Sequence, residues 1–280
     1  MTGVQCTRLS GDRQHFHHGP IDVILRAYGA PEAVERANAA AARAFPDILP
    51  TLCEELSLLR SGDPRLWAGM NGPVSRRMVE AVQPFAEADF VTPMAAVAGS
   101  VADELLAIMQ DAAPIAAAYV NDGGDIAVLA SRDHPVTIAL DPPGAETLSM
   151  ETPGGVATSG RAGRSRSLGV ADRVTVIAAT AATADVAATL IANAVTSDAP
   201  GIERVPASSL DPDHDLGERL VTVAVPHLSQ SEVQAALAAG KRVAKAHMAG
   251  GFIQAARLVL QGQHVTVGTG LMALEEHAAG

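Results

Sequence analysis

The sequence predicts an α+β fold with a mixed, largely antiparallel sheet covered by helices. Three observations predict it. Short β-patterned runs occur next to one another, split by glycine turns. Their order along the chain is mixed: hairpins first, then strand–helix–strand, then a closing hairpin. Apolar residues make up 48% of the 280 positions but aromatics only 3%, so the core must be built from Ala, Val, Leu and Ile in many modest contacts.

The elements follow in order. Phe16 to Tyr28 reads as one strand, with Ile21, Val23 and Leu25 on one face. Pro31 opens an Ala-rich helix that Pro46 and Pro50 are expected to break, with a second helical piece reaching Leu59. Ser61 to Pro73 is a Gly/Pro-rich loop, and Trp67 inside it reads as a packing anchor or a ligand lid. Thr92 before Pro93 has the pattern of an N-cap with proline at the first helical position, opening a helix to about Gln110. On that helix Ala96, Gly99, Ser100 and Asp103 form a narrow face suited to close packing. Strands are expected at 116–120, 126–130 and 136–140, the first two joined by a hairpin turn at Asn121-Asp122-Gly123-Gly124-Asp125. Thr152 to Gly169 reads as a loop, Val174–Ala178 as a strand and Ala181–Ala194 as a helix. A polar connector from Pro200 to Gly217 precedes a strand at Leu220–Val225. Ser229 with Glu232 makes a capping box for a helix to about His247. A hairpin around Gly262 closes the chain. The whole reads as a single domain, 1–280, with its motifs concentrated between about 92 and 200.

Charge excludes some functions. A net charge of −11 and a pI near 5.2 offer no basic face for nucleic acid and repel an acidic membrane surface. Cys6 and Cys53 lack metal-type spacing and fit a reducing compartment. No apolar run of about eighteen residues is present, and the first residues lack a signal-peptide core, so a cytoplasmic protein is expected.

Four groups could carry chemistry. Asp185 and Thr189 lie four apart on a helix and share a face; their hard oxygens suit Mg²⁺ or Ca²⁺, though a solvated face has the same pattern. In the Asn121-to-Asp125 turn, Gly123 and Gly124 would let backbone approach a ligand, and Asn121 or Asp125 would orient it; an ordinary β-turn uses the same residues. Thr158-Ser159-Gly160 with Arg161, Arg164 and Arg166 could cradle phosphate or carboxylate, or be a surface loop. Of His15, His17 and His18, only His18 beside Gly19 is favoured to face a ligand, since no acidic or cysteine neighbour in sequence completes a metal set. No Gly-x-Ser-x-Gly, P-loop or Rossmann pattern occurs.

In combination these elements resemble a family. Ala118 to Ile126, with its Asn121-Asp122-Gly123-Gly124-Asp125-Ile126 run, is similar to the Asn-x-Gly-Gly-Asp-Ile element of ApbE-like proteins. Val156-Ala157-Thr158-Ser159-Gly160 resembles their Val-Ala-Thr-Ser-Gly element, and Val174 to Leu190 their final strand and metal-binding helix. The resemblance implies a T-fold-like domain with Asp185 and Thr189 as metal ligands. It places Asn121, Gly123, Gly124, Asp125, Thr158, Ser159 and Gly160 around a flavin. It also implies Mg²⁺-dependent FAD cleavage with FMN transfer to a protein threonine. Two family elements are missing: a His…Asp-Pro insert after Ser-Gly and an early Met-Gly-Thr, where His18-Gly19-Pro20 stands instead. With Ser209 to Gly217, these departures resemble the uncharacterised cytosolic branch, linked to sulfur and homocysteine metabolism. The expectation is a pocket for a small anionic metabolite or flavin nucleotide (FAD or FMN), with Mg²⁺, acting alone, as a homodimer or beside a partner enzyme. The alternative is an active FMN transferase or FAD pyrophosphatase.

Overall fold

The computed structural model describes residues 3–140, 147–161, 163, 165–269 and 271. The chain opens with β1 (Gln5–Arg8), β2 (Gln14–His18) and β3 (Ile21–Tyr28). Four helices follow: α1 (Pro31–Glu54), the one-turn α2 (Leu56–Leu59), α3 (Pro73–Val82) and α4 (Val97–Ala112). Next come β4 (Ala117–Asp122), β5 (Asp125–Leu129), β6 (Val136–Ala139), β7 (Thr147–Met150), β8 (Gly154–Ser159) and β9 (Arg173–Ala178). Then follow α5 (Ala181–Ala194), β10 (Glu203–Pro206), α6 (Ala207–Leu210), β11 (Leu220–Ala224), α7 (Gln230–Ala249), β12 (Ile253–Leu260) and β13 (Gln263–Val267).

Nine strands form one sheet in the order β1-β2-β3-β4-β5-β8-β9-β12-β13, and every neighbouring pair is antiparallel. The predicted α+β class is therefore the observed one. Side chains alternate between the faces with the period of two that a strand imposes. Val23, Leu25, Val120, Ala127, Ala157, Val174, Val176 and Leu258 join the core that includes α1, α4, α5 and α7. Ile126, Val128, Val156, Ile177 and Ala255 join a second cluster, completed by Val136, Ile138, Leu148 and Met150 of the separate β6–β7 hairpin.

Glycine sets how closely these layers approach. A Cβ on Gly155 of β8 would lie 2.1 Å from the Ala181 nitrogen, and one on Gly99 of α4 would lie 2.4 Å from the Ala181 oxygen. The first turn of α5 is thus held against both β8 and α4. Asp103 fixes it further by accepting the N–H groups of Ala181 (3.1 Å) and Ala182 (2.9 Å). Those donors have no partner within the helix.

Several expectations need correcting. Phe16 to Tyr28 is two strands, because Gly19 at φ +59° turns the chain between β2 and β3. The helix beginning at Pro31 is not broken at Pro46 or Pro50; α1 runs through both. Each proline removes one N–H, but the buried stripe Ala37, Ala41, Phe45, Ile48 and Leu52 keeps the helix on the core. The first half of the expected 152–169 loop is β8, in the middle of the sheet. Gly154 and Gly155 hid its strand character, and the close approach of α5 explains the glycine at 155. The 200–217 connector contains β10 and α6. Thr92 stands at a helix start as expected, but its hydroxyl caps nothing there. Trp67 is a packing anchor, 3% exposed, with its indole N–H on the Ser61 carbonyl at 2.9 Å.

Candidate functional site

The site begins with the β4–β5 turn. Gly123 (φ +65°) and Gly124 (φ +116°) take left-handed backbone, and the Gly124 N–H donates to the Asn121 side-chain oxygen at 2.8 Å. Asn121 therefore builds the turn. The turn sets Asp122 opposite Asp125 across the hairpin. The Asp125 carboxylate accepts the Thr158 N–H at 3.2 Å, tying the turn to the end of β8. The Thr158 hydroxyl lies 3.1 Å from that of Thr175 on β9. Thr189 of α5 donates to Ser159 at 3.5 Å, a long contact. One turn earlier on the same helix, Asp185 accepts the Gly99 N–H at 3.2 Å.

Several of these groups border one cavity of about 330 Å³. Of the residues singled out in the sequence, Gly123, Asp125, Thr158, Ser159, Arg166, Asp185 and Thr189 line it. Asp122, Phe90, His214, Asp215 and Leu216 line it too, and the sequence reading had not chosen them as site residues. The Asp122 signal was its place inside the turn. His214 and Asp215 belong to the Asp-Pro-Asp-His-Asp run, read only as connector and family feature.

Other expected residues lie elsewhere. Asn121 and Gly124 line an adjoining cavity of about 700 Å³ that shares Gly123, Thr158, Ser159 and Gly163 with the first. Arg161 is paired with Asp172 at 2.7 Å and does not line the first cavity. Gly160 (φ +136°) makes a turn where a Cβ would lie 2.7 Å from the Asp172 oxygen. Arg164 lies outside the described residues. His18 is not part of the cavity lining; its ring packs edge-on to Phe45 of α1, with centroids 6.4 Å apart. An acidic neighbour does stand beside the histidine run: Asp22 contacts His15 at 2.5 Å.

The electrostatics centre on Asp185. Burial pushes its carboxyl well above the ordinary range. The charges of Asp125, Asp122 and Asp103 raise it further, and only the Gly99 N–H opposes them. Asp103 is itself raised by burial, partly offset by the N–H groups of Ala182 and Ala181. Carboxylates crowded in this way suit a hard divalent cation, whose charge reverses the repulsion. Among the described residues no three His, Cys, Asp or Glu side chains form a ready-made cage. An ion beside Asp185 would need hydroxyl, carbonyl, water or ligand oxygens as well. Mg²⁺, which keeps waters and takes substrate phosphate, is bound in that way.

A family model described as AbpE bacteria matches residues 5–266. The chain belongs to this family, within the ApbE-like superfamily. It is similar to UPF0280 proteins of Methanopyrus kandleri (39% identical over 157 residues) and Methanothrix thermoacetophila (38% over 135). These matches cover 54% and 45% of this chain and 61% and 54% of those proteins, less than two thirds of their length. Among solved structures it is similar to the flavinyl transferase ApbE of Pseudomonas stutzeri, at 14% identity and TM-score 0.45 over 96% of this chain and 95% of that one. The ApbE protein of Thermotoga maritima gives 16% identity and TM-score 0.40 over 85% and 76%. This ApbE-like chain is a divergent one. Only residues 160–172 separate β8 from β9. Among the described residues no helix is long and apolar enough to cross a membrane.

Proposed function

We propose that this protein binds a small anionic ligand, a metabolite or flavin nucleotide, between the Gly123-Gly124-Asp125 turn and the Thr158-Ser159 end of β8. One observation carries the reading: residues from a β-turn, a strand end and a helix face, far apart in sequence, meet in one cavity. Its volume, about 330 Å³, lies at the small end of ligand pockets and favours a mononucleotide or smaller anion. Asp185 and Thr189 would hold Mg²⁺, or Ca²⁺ in its place, which supplies charge neutralisation for phosphate oxygens when bound. Arg166 adds a guanidinium for the same oxygens. In this reading the protein serves a partner enzyme, and sulfur and homocysteine metabolism is the setting its family branch suggests. A thermal-shift panel of FAD, FMN, ADP and small carboxylates, each with Mg²⁺ or with EDTA, tests it. Stabilisation by one of them that needs Mg²⁺ and vanishes in Asp185→Ala supports the reading. Responses unaffected by both changes refute it.

The adjoining cavity favours a second reading, because its shared wall at Gly123, Thr158 and Ser159 would let a dinucleotide reach across. The chemistry would then be Mg²⁺-assisted cleavage of FAD, with or without FMN transfer to a protein threonine. AMP release from FAD that is lost in Asp185→Ala supports this alternative, and no release counts against it.

A further inference from the structure

The segment from Asp211 to Gly217 contributes His214, Asp215 and Leu216 to the cavity wall and forms a strap beside it. Its root is closed by backbone bonds from Ser208 N–H to the Gly217 carbonyl (2.8 Å) and from Ala207 N–H to the Arg219 carbonyl (2.9 Å). Two tight turns follow within it: His214 N–H reaches the Asp211 carbonyl, and Gly217 N–H reaches the His214 carbonyl, both at 3.0 Å. Its far side is tied to the start of the α4 region, where the buried Thr92 hydroxyl donates to one Asp215 carboxylate oxygen. His214 and Asp215 are thereby held in the wall of the cavity that also contains Asp185 and Thr189.

The His214 ring has two nitrogens with different surroundings. Nδ1 accepts the Leu216 N–H at 3.2 Å and also lies 3.0 Å from the other Asp215 oxygen. Nδ1 is thus taken up within this segment, by the Asp215 carboxylate and the Leu216 N–H, which leaves Nε2 as the ring nitrogen that can meet a ligand. Nε2 has no partner among the described residues. His214 is partly exposed, with 20% of its side chain open, so Nε2 can be reached by a ligand in the cavity.

We propose that His214 is a ligand-recognising residue whose Nε2–H donates to a phosphate oxygen of the bound molecule, with Asp215 and Thr92 as its positioning residues. This rests on the reading of the cavity as an anion site. It adds a recognition element that comes from the strap rather than from the sheet or from α5. Arg166 lines the same cavity from a different segment, so a phosphate there would be held from two separate segments.

Two measurements decide it. Nitrogen NMR on histidine-labelled protein reads the tautomer of His214, assigned by comparison with His214→Gln. In the complex with Mg²⁺-pyrophosphate a protonated Nε2 is expected; a bare Nε2 there overturns the proposal. Calorimetry then measures Mg²⁺-pyrophosphate, FMN and citrate against wild type, His214→Phe, His214→Gln and Asp185→Ala. The expected result is tenfold or greater weakening of the two phosphate probes in His214→Phe, as for loss of one hydrogen bond to a charged group. Binding should be largely retained in His214→Gln, which keeps an N–H donor. Wild-type affinity in His214→Phe, with binding lost in Asp185→Ala, overturns this proposal and leaves the cavity reading standing. A wild type that binds none of the probes overturns both.

Discussion

Replacing Asp185 by asparagine is expected to stabilise the ligand-free protein at neutral pH while abolishing its response to Mg²⁺. The two effects have one cause. The Asp185 carboxyl is displaced upward by burial and by the charges of Asp125, Asp122 and Asp103. Asparagine keeps an oxygen for the Gly99 N–H and removes the charge. Relieving a buried, crowded charge contributes about 1–4 kcal/mol. At about 2–4 °C per kcal/mol for a large domain, Tm should rise by roughly 2–16 °C. A carboxyl whose folded-state pKa is raised favours the fold at low pH and loses that contribution as pH rises through the folded value. The advantage of Asp185→Asn should therefore be largest at pH 8 and shrink towards zero near pH 4. With Mg²⁺ at about a hundredfold excess over Kd, wild type alone should gain about 2.7 kcal/mol. Denaturant titrations at both pH values, with Mg²⁺ or EDTA, measure all of this. A mutant less stable than wild type at pH 8 in EDTA refutes the electrostatic account. Equal Mg²⁺ responses in the two proteins refute the metal assignment.

Gly155→Ala should destabilise by about 1–3 kcal/mol or more, since its Cβ would overlap the Ala181 backbone and displace the start of α5. A denaturant midpoint within error of wild type would show that α5 shifts without cost. Asp103→Ala should lose about 1–2 kcal/mol by uncapping Ala181 and Ala182, whereas Asp103→Asn should lose less because it keeps one acceptor. Equal losses would argue against capping as the cause. Burial holds the His247 imidazole below its ordinary pKa, opposed by Asp89. Its contribution to stability is thus present above about pH 6.5 and is lost as pH falls through the folded value, with a limiting slope of about 1.4 kcal/mol per pH unit. His247→Leu should flatten that acid limb in pH-dependent unfolding; an unchanged limb would assign it to other groups.

The legible parts of this fold were those where local rules and tertiary structure agree. Helix α5 was read with its observed ends because Thr180 caps it and its pattern is uninterrupted. The capping box at Ser229 and Glu232 is present as read. The Gly123-Gly124 turn needed left-handed backbone, which glycine announces in sequence. What failed was governed by partners distant in sequence. Strand β8 has a glycine pair that weakens any local strand signal, and only the adjacent β5, β9 and α5 make it a strand. Helix α1 survives two prolines through the face it buries, which no local rule records. Within the site, Asp185, Thr189, Asp125 and Thr158 were visible because each sits in a compact motif. His214 and Asp215 were not, because their motif looks like any polar turn until Thr92 is seen to hold it. His18, expected to face a ligand, lies outside this cavity and packs edge-on to Phe45, a contact its place beside glycine does not announce.

The Thr92–Asp215 hydrogen bond spans 123 positions of the chain. Closing so long a loop costs entropy that packing of the segments between its ends must offset, so this contact is expected to form late. The 211–217 part of the cavity wall should therefore close late in folding and open early in the native state. Amide hydrogens in residues 211–217 would exchange through local openings, while those of β8 and β9 would wait for global unfolding. Ligand entry would then draw on the same small fluctuation and leave the sheet beneath it intact.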